Sequence, residues 1–133
     1  MSDVLHPQLD PLERRRLLQR GVDLFNAGRY FEAHEAWEEV WRSTTPEPKD
    51  LLQGLIQIAV GMVHHIDRGR PEVARRMLAK GRRRIEPWRP AALGIDLEAL
   101  LAGVGGWDRW LVTRDGGSPP PLTVKVVEPS RFR

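Results

Sequence analysis

Cysteine is absent from the 133 residues, which excludes a disulfide scaffold, thiol catalysis and any thiolate metal site. An excess of one charge sign is also missing: 21 basic residues against 18 acidic ones leave a net charge of only +3. No long uninterrupted apolar run occurs. The opening stretch MSDVLHPQLD has no apolar centre, so neither a signal peptide nor a membrane span is expected, and a cytoplasmic location follows. Aromatic residues are few beyond five tryptophans, and no RNA motif or stacking platform can be recognised. What is present is ordinary for a folded domain: 41% apolar and 29% charged residues. A chain of this length buries roughly 65–70% of its unfolded surface and needs no covalent staple.

Four helical segments stand out. Asp10-Pro11 pairs a cap residue with a proline at the first helical position, and the helix then runs to a stop at Gly28. YFEAHEAWEEVWR follows and ends in the breaker stretch STTPEP. A third helix is expected from Asp50 to Gly69, apolar around most of its circumference and hence central. A fourth starts on Pro71 and fades at Pro87. Asp96 caps a fifth apolar run, LEALLAGV, which GWDRWL extends by a turn or two. The expected fold is all-α: two antiparallel hairpins, Asp10–Arg42 and Asp50–Glu86, closed by a fifth helix in a single domain over 1–112. Residues 113–133, rich in proline and glycine, suit an extended tail. Its TVKVV segment could lie along the body, with no sheet for it to join.

The chain also repeats itself. Gly28-Arg29 and Ala33 recur 41 positions later as Gly69-Arg70 and Ala74, a helix stop followed by a small residue where helices approach. Gly21, Gly28, Tyr30, Ala33 and Trp37 stand at tetratricopeptide spacings, with Pro46 near the usual repeat end.

One polar cluster asks for an explanation. On the second helix Tyr30, Ala33, Trp37, Val40 and Trp41 form an apolar face, and Glu32, Glu35 and Glu39 a solvated one. His34 and Glu38 lie one turn apart on the flank of the apolar face, able to meet or to face one ligand. On the third helix Gln53, Gln57 and His64 form a narrow stripe among aliphatic residues, with Gly54 and Gly61 beside it for close helix approach. Buried polar groups need partners, since each unpaired one costs about 1–3 kcal/mol. The stripe and the flank are therefore expected to converge between the hairpins.

Three readings compete for that constellation. One is a satisfied network that fixes helix register. Another is a pocket for a small polar ligand, made from Tyr30, His34, Glu38, Trp41, Gln53, Gln57 and His64. The third is a divalent metal held by His34, Glu38 and His64 in a metal-dependent hydrolase. The string HEAWE places glutamate where a metalloprotease HExxH motif needs its second histidine, and no di-iron Glu-x-x-His pair occurs. No cofactor is firmly implied. His65 reads as structural, Trp37 and Trp41 as core, and Trp88, Trp107 and Trp110 as covers of a bundle end or a dimer contact.

Between Arg70 and Arg89 eight basic residues meet two acidic ones, whereas Tyr30–Arg42 carries a net charge of −3. This asymmetry suits a solvated helix, or pairing with the acidic helix in a homodimer or a protein partner, better than nucleic-acid binding.

LFNAGRYFEAHEAWEEVWR followed by LLQGLIQIAVGMVHHIDRG resembles the small prokaryotic family catalogued as domain of unknown function 309, over roughly Leu17–Leu78. The resemblance implies an all-helical single domain with no established activity. The family's motif positions fall on Phe25, Asn26, Tyr30, Glu32, His34, Glu35, Trp37, Glu38, Trp41, Gln53, Gln57 and His64.

Overall fold

The structure, a computed structural model, describes residues 9–43, 46–66, 68–113 and 122–127. Five helices follow in order: α1 Pro11–Asn26, α2 Tyr30–Ser43, α3 Pro46–Ile66, α4 Pro71–Ile85 and α5 Leu97–Thr113. The fold is all-α, with a short 3₁₀ turn at Glu86–Trp88 and one very small hairpin. α1 packs on α2 and α3 on α4; α2 and α3 join the two hairpins, and α5 closes on α4.

The first helix begins as its cap dictates. Asp10 accepts a hydrogen bond from the Glu13 amide at 2.8 Å, with Pro11 supplying the first turn. It ends in a Schellman turn at Gly28 (φ 80°): the Arg29 amide donates to Leu24 and the Gly28 amide to Phe25. Gly69 repeats the left-handed stop (φ 59°), and Ala33 and Ala74 are both fully buried where the next helix starts. The 41-residue repeat is thus a recurrence of a left-handed glycine stop and a buried alanine, although the turns close differently: Arg29 donates to Leu24, five residues back, and Arg70 to His64, six back.

α3 starts four residues earlier than the expected Asp50 cap. Prolines 46 and 48 fall in its first turn, where a missing N–H removes no helical hydrogen bond, so they open the helix instead of breaking it. Asp50 therefore stands inside α3, and its carboxylate pairs with Arg84 of α4. Thr44, Thr45 and Asp67 lie outside the described residues.

The second departure is the hairpin. β1 (Ala91–Ala92) pairs antiparallel with β2 (Ile95–Asp96) around Leu93-Gly94, both at positive φ (53° and 73°). Val126 bridges to Ile95, the Asp96 amide donates to the Lys125 carbonyl, and the Val127 amide donates to that of Gly94. TVKVV does lie along the body, but there is a small sheet for it to join. Residue spacing alone missed it because two-residue strands leave no alternation to read.

The core runs the length of α3. Trp37, Phe25, Leu55, Met62, Leu78 and Leu100 are fully buried, and Leu122 and Val124 add to the same cluster. Gly54 and Gly81 let α3 and α4 touch backbone to backbone: a Cβ on Gly81 would sit 2.6 Å from the Gly54 carbonyl oxygen. α5 continues unbroken through Gly103, Gly105 and Gly106, capped by Asp96, which accepts from the Ala99 amide at 3.0 Å.

Candidate functional site

α2 turns its alanines, Trp37 and Val40 into the core and leaves Tyr30, His34, Glu38 and Trp41 half-buried along its flank. Trp37 is fixed by its own hydrogen bond, Nε1 donating to the Leu18 carbonyl at 3.2 Å, and by close approach to Gly21. Tyr30 meets Phe25 edge-on at 4.9 Å, and burial pushes its hydroxyl pKa up. Lys49 lies over the Trp41 ring at 4.4 Å, a cation–π contact that joins the end of α2 to the start of α3.

The polar bonds given by His34 and Glu38 stay within α2. Nδ1 of His34 meets the Phe31 carbonyl, which can only accept, so this nitrogen carries the proton. That leaves Nε2 pointed at Glu38, 3.8 Å from Oε1, while Oε2 of Glu38 lies 3.7 Å from Arg42. The Glu38 side chain is 42% exposed. His34, Glu38 and Arg42 thus stand at successive turns, with His34 mostly covered and Glu38 and Arg42 open to solvent. Both separations are too long for hydrogen bonds, and such exposed pairs contribute little.

The stripe on α3 is different. Gln57 is buried, and Gln53 and His64 are half-buried. The carboxamide oxygen of Gln57 and Nδ1 of His64 are both buried with no hydrogen-bond partner. Burial lowers the His64 pKa, and the charges of Arg68 and Arg70 lower it further, which favours a neutral ring. A satisfied register-fixing network does not describe these two atoms. Gly54 and Gly61, expected beside the stripe for close approach, do serve it: both face α4, Gly61 meeting Leu78 and the Ala74 carbonyl.

Among the described residues no group of three or more histidine, aspartate or glutamate side chains is placed to hold a metal ion, His34, Glu38 and His64 included. His34 and Glu38 are tied along their own helix, and His64 stands on another. Glu35 and Glu39 are solvent-facing, and Glu32 pairs with Arg29. His65 stands outside the stripe, its ring edge-on to Trp107 and Trp110 at 5.1 and 5.4 Å.

Four of the eight basic residues between Arg70 and Arg89 pair within the chain. Arg75 pairs with Asp108, Arg82 with Glu86, Arg84 with Asp50 and Arg89 with Glu98. None of these partners is a glutamate of α2.

Two features escaped the sequence reasoning. Asn26 ties the C-terminal segment to α1 by two hydrogen bonds to Val124. In addition, a cleft of about 650 Å³ opens between α1, the start of α3, the Leu93-Gly94 turn and Val126. A signal for it was available. Arg14 stands four residues before Leu18 and eight before Val22, a charge set into the apolar stripe of α1.

Helical hairpins joined through a central apolar helix define the class of domain. Residues 18–77 match the family described as Domain of unknown function (DUF309). The matched residues take in the flank of α2 and the whole stripe of α3. No curated protein matches the chain. Among the described residues no helix is long and apolar enough to cross a membrane.

Proposed function

We propose that this chain is a binding domain whose α3 stripe (Gln53, Gln57, His64) receives a small polar ligand, with Tyr30, His34, Glu38 and Trp41 on the neighbouring flank. One observation carries the reading: two polar atoms of the stripe, on Gln57 and His64, are buried and unpartnered. Leaving such atoms unpaired costs about 1–3 kcal/mol each. A domain whose polar residues served only stability would gain from leucine at both positions. Seven residues of helix separate them by about 10 Å. The ligand class is therefore an elongated molecule with an N–H or O–H donor for the Gln57 oxygen and a second polar group for His64.

Thermal unfolding tests the reading without knowledge of the ligand. Gln57→Leu and His64→Leu should leave Tm at pH 7.5 unchanged or raise it. Native mass spectrometry of untagged protein should then show a small molecule carried by the wild type and lost in both variants. A clear fall in Tm in both variants, with no small molecule carried by the wild type, would overturn it. Stoichiometric metal that disappears in His34→Ala would replace it with the metal-dependent hydrolase built on His34, Glu38 and His64. Binding of DNA that survives physiological salt would favour the arginine helix over 70–89.

A further inference from the structure

The cleft beside α1 lies apart from the α3 stripe and has a different chemistry. Its walls are aliphatic, with Leu18, Val22, Val40, Leu52 and Ile95 lining it and Leu93 and Val126 at its hairpin side. Its volume of about 650 Å³ falls within the range of small-molecule sites. Leu93 and Val126 are 39% and 49% exposed, although both are large apolar side chains. A charged group enters this apolar setting: Arg14 lines the cleft, and its Nε is buried with no hydrogen-bond partner. A guanidinium stays charged at any physiological pH, and one set against aliphatic walls favours an anion beside it. Arg15 also lines the cleft.

The turn supplies an independent observation. Leu93 holds φ 53°, a left-handed conformation that leucine rarely adopts and that asparagine or glycine would take readily. Its neighbour Gly94 shares the positive φ, as a two-residue hairpin turn requires. Leucine is thus a poor choice for the turn. What it adds is an apolar side chain on the wall of the cleft.

We propose that this cleft binds a single-chain amphiphile, a hydrocarbon chain ending in a carboxylate. The chain lies against the aliphatic walls, and the carboxylate pairs with the guanidinium of Arg14, whose planar fork matches two carboxylate oxygens. A neutral alcohol of the same length would leave Arg14 uncompensated.

Isothermal titration calorimetry of the full chain with dodecanoate, below its micelle concentration, tests this, with dodecanol as the uncharged control. Dodecanoate should bind one per chain, at least tenfold tighter than dodecanol. Arg14→Gln should remove that preference. Leu93→Asn should weaken dodecanoate several-fold while Tm stays the same or rises, because the turn is relieved as the wall is lost. Val126→Glu, at an exposed position, should abolish binding by placing a like charge at the hairpin side. Absence of dodecanoate binding, equal affinity for dodecanol, or wild-type affinity in both Leu93→Asn and Val126→Glu would overturn the proposal. So would cosedimentation with phosphatidylglycerol vesicles in the absence of any affinity for monomeric dodecanoate.

Discussion

Asn26 grips Val124 by both of its main-chain groups: its Nδ2 donates to the carbonyl at 2.9 Å and its Oδ1 accepts from the amide at 2.8 Å. One side chain at the end of α1 thus stands in for a neighbouring β-strand. It holds the segment that carries buried Leu122 and Val124 against the helical core. Replacing Asn26 with alanine loses two hydrogen bonds and strands two partly buried backbone groups, at a cost of about 2–3 kcal/mol. Urea unfolding should show this loss. Amide exchange should speed up at Val124 and at Asp96, whose amide donates to the neighbouring Lys125 carbonyl.

The glycines divide by physical cause. Gly81→Ala must push a methyl group into the Gly54 carbonyl and the Ile58 side chain, so α3 and α4 separate and about 1–3 kcal/mol is lost. Gly28→Ala meets no atom within 4 Å and suffers only from its φ of 80°, an effect of about 1 kcal/mol. Denaturant unfolding of both variants should therefore rank Gly81→Ala as the more damaging. The reverse order would mean that the helix pair tolerates separation.

His34 and Glu38 should couple weakly. With 3.8 Å between Nε2 and Oε1 and an exposed carboxylate, a double-mutant cycle of His34→Ala and Glu38→Ala should give an interaction of no more than about 0.5 kcal/mol. A coupling of 2 kcal/mol would show that the pair is part of a buried network after all.

His64 predicts a pH dependence. Its folded pKa lies below the ordinary 6.5, because burial and then Arg68 and Arg70 disfavour the charged ring. The unfolded chain therefore takes up the proton more readily. The stability associated with neutral His64 is complete above about pH 6.5 and is lost as the pH falls through that value toward the lower folded pKa. Between pH 7.5 and 5.5, Tm should fall less in His64→Leu than in the wild type. His34 and His65 are common to both proteins, so the difference isolates His64.

Much of the helical fold was legible because its signals are local. The Asp10 cap, the glycine stops at 28 and 69 and the Asp96 cap each act within one turn of chain. The apolar circumference of α3 marked it as central because a helix with no polar face has to be covered on all sides. Pro46 and Pro48 misled because proline breaks a helix in its interior but suits its first turn, and position within a helix is not written at the residue itself. The polar stripe could be named from spacing. Its state could not, since whether Gln57 and His64 find partners depends on what α2 and α4 present to them.

Composition and periodicity alone determined that this is an all-α domain without thiol chemistry, with Trp37 in its core and Gln53, Gln57 and His64 on one line of its central helix. Local sequence sets these because hydrogen bonding and amphipathicity within a helix span only three or four residues. Tertiary structure decided the rest. It set Val126 against Ile95, Asn26 on Val124 across 98 positions, Arg84 on Asp50, and Arg14 in an apolar cleft. These are contacts between distant parts of the chain, chosen by which surfaces fit together once the helices exist, and no short-range periodicity encodes them.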